Sequence, residues 1–190
     1  MRVERHVLDR LQLVAGLPRA VGPLQAVRLG PDNATLSVHT KRGGAAAKAG
    51  HDLELHVTAW EATLDVDAGT AELSADGSSL RVQKGTGGMQ KLGDEDKANI
   101  HQTIDDEVLE KRNIAFRSTT VQGQDGHYRV DGELTIGGRT QPVSFDLAID
   151  GDAVSARATV TQSRWGVKPF SALFGTLKVL DDVEVELQSR

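Results

Sequence analysis

At 190 residues the chain fits a single domain, because all-β barrels often exceed the usual domain length without splitting. It contains no cysteine, which rules out disulfides, thiolate nucleophiles and Cys-ligated zinc or iron–sulfur sites. A net charge of −5 with both signs interspersed offers no basic patch of the kind a nucleic-acid partner requires.

Residues 1–23 form an N-terminal extension in which Val3, Val7, Leu11 and Val14 recur at helical spacing until Gly16 and Pro18 stop the helix. This helix is expected to pack on the main domain or on a second subunit, with a membrane-surface anchor as the alternative. The stretch Met1–Arg10 has no apolar run suited to export, and no later segment is apolar enough to span a bilayer. A cytoplasmic protein without an integral membrane segment is therefore expected.

From residue 24 onward the pattern is that of one β domain, 24–190. Gln25 to Leu29 reads as a weak first strand, Pro31-Asp32-Asn33 as a turn, and Leu36, Val38 and Thr40 as one face of a second strand. Lys41 to Gly50, rich in Gly and Ala, reads as a loop. The odd positions Leu53, Leu55, Val57 and Ala59 are followed by the even positions Trp60, Ala62, Leu64 and Val66. Such a change of parity predicts a β-bulge in one long strand, which bends a sheet toward closure. Leu73, then Leu80 with Val82, mark shorter strands. Between about 94 and 110, Ile100, Ile104 and Val108 recur every fourth residue behind Asp94, Glu95 and Asp96, predicting an inserted helix with acidic residues at its N-terminus.

After Ile114 and Phe116, apolar residues occupy every other position in one segment after another: Tyr128, Val130, Leu134 and Ile136; Val143, Phe145, Leu147 and Ile149; Val154, Ala156, Ala158 and Val160; Val183, Val185 and Leu187. Period two signals half-buried strands, and the connections Gly137-Gly138, Asp150-Gly151-Asp152 and Asp181-Asp182 suit tight antiparallel hairpins. A sheet with one apolar face packs on another sheet or curls on itself, and a curled one can hold an apolar ligand.

Little in the sequence points to catalysis, and no cofactor is expected. His51 and His56 fall on opposite faces of a strand, and His39, His101 and His127 lack converging partners, so no metal site is expected. Gly50-His51-Asp52 places a His–Asp pair at a strand entrance, where it serves either a ligand headgroup or proton transfer. Ser163 to Phe170 sets Arg164 and Lys168 beside Trp165 and Phe170. Either the cations form a rim for an amphiphile's head, or the aromatics plug one end of the barrel under solvated cations.

Three stretches, Gly50-His51-Asp52-Leu53, Ile114-Ala115-Phe116-Arg117-Ser118 following Val108-Leu109, and Gly132-Glu133-Leu134-Thr135-Ile136-Gly137-Gly138-Arg139-Thr140-Gln141-Pro142-Val143, closely resemble the YceI-like family over roughly residues 24–190. The resemblance implies an antiparallel lipocalin-like barrel that binds polyisoprenoid lipid, whether a polyprenyl or a quinone chain. On that reading the chain is a non-catalytic carrier. Its tail-binding sleeve would comprise Leu36, Val38, Leu55, Val57, Phe116, Val130, Leu134, Phe145, Leu147, Val160, Trp165 and Phe170, with His51, Asp52, Arg164 and Lys168 at the rim. Two other classes stand beside it: a lipid-modifying enzyme using His51 and Asp52, and a protein-interaction module with a solid barrel, forming a homodimer through the sheet exterior or the N-terminal helix.

Overall fold

The alternating segments become strands wherever one face can be buried. The computed structural model describes residues 26–190, so the N-terminal helix expected within residues 1–23 lies outside the described residues. The strands are β1 (Val27–Leu29), β2 (Ala34–Thr40), β3 (Arg42–Gly43), β4 (His51–Val57), β5 (Trp60–Asp65), β6 (Thr70–Asp76) and β7 (Leu80–Gly87). After helix α1 (Asp94–Thr103) come β8 (Asn113–Gln124), β9 (His127–Ile136), β10 (Arg139–Asp150), β11 (Ala153–Thr161), β12 (Ser171–Ala172), β13 (Leu177–Val179) and β14 (Asp182–Ser189).

Eleven of these strands form one antiparallel sheet in the order β1-β5-β6-β8-β9-β10-β11-β14-β2-β4-β7. Strands consecutive in the chain, β1 and β2, β4 and β5, β6 and β7, stand in opposite halves of this order. Each pair is one long pass interrupted once, so the eleven strands amount to eight passes. The pairing of these passes returns to its start: β2 joins β14 and β4, while β6 joins β5 and β8. The result is a curled, lipocalin-like barrel, and eight passes are the number that leaves room for one small ligand.

The parity change at Ala59-Trp60 falls where this long pass is interrupted: Thr58-Ala59 leave the ladder and the register shifts by two residues, while the neighbouring passes stay the same. β4 pairs with β2 and β7, and after Thr58-Ala59 β5 pairs with β1 and β6, the continuations of those same passes. Bulges do occur elsewhere, where the register slips at Glu54/Leu55 opposite β7 and at Ser118/Thr120 in β8.

Hydrogen bonds join the interruptions. Asp76 N–H donates to Ala59 O (3.0 Å) and Thr58 N–H to Ser79 O (3.1 Å). The buried Ser79 hydroxyl accepts from Ala59 N–H (3.1 Å) and donates to Asp76 O (2.7 Å). Asn33, which matches a glycosylation sequon, instead shapes the β1–β2 turn, accepting from Gly30 N–H and donating to Arg28 O, both at 2.9 Å.

Two of the three expected hairpins form, at Gly137-Gly138 and Asp150-Gly151-Asp152, whereas Asp181-Asp182 leads from β13 of the small sheet into β14, which pairs with β11 and β2. Gly137 and Gly138, at φ 57° and 82°, make the two-residue β9–β10 turn whose twist suits a hairpin. The predicted helix also forms: α1 begins at Asp94 and continues through a wider π turn, Ile104–Val108, closed by Leu109 N–H to Ile104 O (2.8 Å). Lys41–Gly50, expected as a loop, contributes β3, which adds to β12 and β13 to make a separate three-stranded sheet. No helix among the described residues is long and apolar enough to cross a membrane.

The Ser79 junction should matter for stability. Ser79→Ala leaves Ala59 N–H without its partner, and a loss of about 1–3 kcal/mol is expected in denaturant unfolding. Asp76 gives a second readout. Hydrogen bonds from the Ser78 hydroxyl and backbone, with the Arg81 charge, hold its carboxyl below the ordinary value of 3.8. A carboxyl lowered on folding stabilises the protein above its unfolded pKa, and that contribution fades as pH falls through the folded value. In Ser78→Ala the Asp76 carboxyl should titrate at higher pH, as followed by NMR.

Candidate functional site: an apolar cavity with one mouth

Inside the barrel is a cavity of about 530 Å³, within the range of small-molecule pockets. Its walls are inward positions of β2, β4, β8–β11 and β14, where period two aims every second side chain inside. Most are Val, Leu, Ile and Ala. The cavity floor carries the Phe116 and Phe145 rings, 5.3 Å apart and tilted by 57°. Beyond them the barrel is filled by Val130, which is 0% exposed, with Leu64, Leu147 and Val154.

The other end is covered from two sides. α1 and its π turn present Asn99, Ile100, Thr103, Ile104 and Val108 to the cavity. The same face continues through the π turn to Val108 and Leu109, which also line the cavity. Opposite them lie the three-stranded sheet and the 3₁₀ turn Ala47–Ala49, joined by Ala46 N–H to Thr176 O (2.8 Å) and Leu180 N–H to Lys41 O (2.7 Å).

Arg42 ties this mouth together. Its backbone N–H donates to Asp52 Oδ1 (2.8 Å), and its Nη1 donates to Gly50 O (2.8 Å) and Thr86 O (3.2 Å). His51 Nε2 donates to Gln90 O (2.7 Å) in the loop ahead of α1. His51 and Asp52 are thereby engaged separately, on different partners. Thr40 lines the cavity, and its buried hydroxyl has no hydrogen-bond partner among the described residues.

Of the residues singled out from the sequence, the cavity brings together Leu36, Val38, Leu55, Val57, Phe116, Leu134, Phe145, Val160, Phe170 and His51. Val130 and Leu147 sit in the packed end beneath the floor. Trp165 is 1% exposed in a second core with Ile136, Val160, Val167 and Val183, its indole N–H donating to Leu134 O (2.7 Å). Asp52, Arg164 and Lys168 do not line the cavity, and Arg164 lies over the Trp165 ring. Sequence reading missed Arg42, Asn99, Thr103, Leu177 and Lys178. The four-residue period of α1 carries the signal for its own inward positions, whereas β3, β12 and β13 are too short to show a period. Among the described residues no group of three or more His, Asp or Glu is placed to hold a metal.

A model of the YceI-like domain matches residues 32–190, most of the chain. The chain belongs to the YceI-like family. No curated protein matches it. Burkholderia cenocepacia BcnA shares the fold at a TM-score of 0.55 and 18% identity, over 82% of this chain and 94% of that one. The mutant CJ YceI protein with a monobromobimane guest aligns over 99% of both chains at 12% identity and a TM-score of 0.41, too low to weigh further.

This YceI-like chain also explains the first glycine of its long motif. A side chain at Gly132 would meet the Phe116 ring and Arg117 O at 2.5 Å, so the absence of a Cβ is what lets the Phe116 ring pack against β9 at the floor. Gly132→Val should push Phe116 into the cavity and cost about 1–3 kcal/mol, read from chemical unfolding together with a ring-shifted methyl NMR spectrum.

Proposed function

We propose that this protein binds a long apolar lipid of the isoprenoid type, a polyprenyl or quinone chain, in the barrel and carries it without chemical change. The observation that carries this reading is the cavity: hollow, lined by aliphatic side chains, floored by two phenyl rings and reached from one end. Transfer from water yields roughly 25 cal/mol per Å² of apolar surface, so a tail burying ~400 Å² gains about 10 kcal/mol before association costs are subtracted. After an association cost of about 4 kcal/mol, the remaining ~6 kcal/mol corresponds to a dissociation constant of tens of micromolar, which contacts to the head would tighten. Family membership supports a binding role, and the separate engagement of His51 and Asp52 favours binding over proton transfer.

The tail would lie against Leu55, Phe116, Leu134 and Phe145, and the head at the mouth, near His51, Thr40, Arg42 and Lys178. The Thr40 hydroxyl is suited to a carbonyl or hydroxyl head, since a buried polar group gains from acquiring a partner. Arg164 and Lys168 lie off the cavity wall, so replacing both by Gln should leave the affinity for a soluble short-chain prenyl ligand within about twofold.

The test is native mass spectrometry of the purified protein, expected to show a bound apolar lipid, paired with Ala158→Phe. Ala158 lines the cavity wall, and a phenyl ring there takes up ligand space. Prenyl-chain affinity should fall at least tenfold while the far-UV spectrum is kept. Unchanged affinity in a folded Ala158→Phe protein would place the lipid outside the barrel and sink the reading.

A further inference from the structure

The outer surface of the mouth has a chemistry unlike the rest of the protein. The chain carries a net charge of −5, yet segments 41–50 and 163–180, which supply β3, the 3₁₀ turn, β12 and β13, contain Lys41, Arg42, Lys48, Arg164, Lys168 and Lys178 and no Asp or Glu. The same lip holds four of the exposed large apolar residues, Phe170, Leu173, Phe174 and Leu180, and Met89 lies in the neighbouring loop beside His51.

Leu173 and Phe174 form the tip, in the turn between β12 and β13. Phe174 is 108% exposed, as open as a side chain in an extended peptide, and Leu173 is 59% exposed. Both adopt left-handed backbone angles, φ 50° and 56°, which side-chain-bearing residues avoid. Asp181 and Asp182, just past this segment, bond back to Ser163 and Thr161. The acidic first turn of α1 belongs to the other lip, packed on β7 through Lys97 and Gln83.

We propose that this lip is a membrane-docking surface, with Leu173 and Phe174 entering the acyl boundary of an anionic bilayer while Lys48 and Lys168 meet its headgroups. Apolar side chains at a tip and cations behind it are the two contributions that hold a protein at a lipid interface, and their charge complements an anionic leaflet. This lip and α1 both line the same end of the cavity, so docking would set that end against the membrane. The docking does not depend on which ligand fills the cavity, and Ala158→Phe should dock like the unaltered protein.

Flotation of the full chain with vesicles of mixed phosphatidylcholine and phosphatidylglycerol tests this. The protein should float with them and bind pure phosphatidylcholine at least tenfold more weakly. Leu173→Ser with Phe174→Ser should abolish flotation. Lys48→Gln with Lys168→Gln should reduce partitioning about twenty-fivefold, as each near-surface cation contributes about a fivefold factor. Residues 1–25 are present in all these proteins, so their contribution cancels. Prenyl-chain affinity in solution and melting behaviour should be unchanged in both variants, since all four side chains are exposed. The proposal is overturned if the unaltered protein ignores anionic vesicles or if both variants float as it does. It is also overturned if light scattering shows the serine variant turning a dimer into a monomer without affecting flotation, which would assign the tip to a second copy of the chain.

Discussion

Everything in this protein follows from a mismatch between the circumference of its sheet and the size of its inward side chains. Eight antiparallel passes set a diameter that side chains can fill only if enough of them are large. Here the chain is 4% aromatic, and the inward positions are mainly aliphatic. Phe116 and Phe145 meet across the middle, and below them Val130, Val154 and Leu147 complete a packed end. Above them the walls do not meet. Hollowness is thus built into the residue sizes, and a barrel with the same hydrogen bonding but bulkier inward residues would be solid.

The two ends are built by different means. The packed end is bounded by tight hairpins such as Asp150–Ala153, where the hydrogen-bonded ladder runs to the turn. The mouth is assembled from α1, the three-stranded sheet and 3₁₀ turns, elements held on by side chains such as Arg42 as much as by backbone pairing. Segments of this kind open at lower free energy than a continuous sheet, and ligand entry requires such a place. Rigidity at one end and looser attachment at the other fit a container that must exchange its contents.

The second half of the chain was legible because β9, β10, β11 and β14 keep strict alternation and β9, β10 and β11 are joined by residues suited to tight turns. Period two also located eight of the ten cavity residues that the structure brings together, His51 and Phe170 having been picked out by the chemistry of their segments. Three features escaped. The parity change at Ala59-Trp60 was visible, but that it is an interruption shared with the neighbouring pass depends on Ser79, twenty residues away. β3 is two residues long and pairs with Lys178 and Val179, which no local pattern announces. Depth along the barrel was equally hidden: Val130 and Phe145 are cross-strand partners of one parity, yet one is in the packed end and the other at the cavity floor. Alternation reports which side of the sheet a residue faces and nothing about how far along the axis it sits.

The pass formed by β1 and β2 meets β14 through the pairs Ser189 to Ala34 and Glu184 to His39, and Arg190 N–H donates to Asn33 O (2.9 Å). Ring closure therefore joins segments about 150 residues apart in the chain. During translation β2 must wait with an unpaired edge until β14 has left the ribosome, long after β8, β9 and β10 have been able to form their hairpins. Contacts of such separation make folding slow, and the waiting edge of β2 is an open template for strands of other chains. A barrel closed in this way protects its cavity well once complete, at the expense of a long interval in which the nascent chain depends on dilution or chaperones to stay unaggregated.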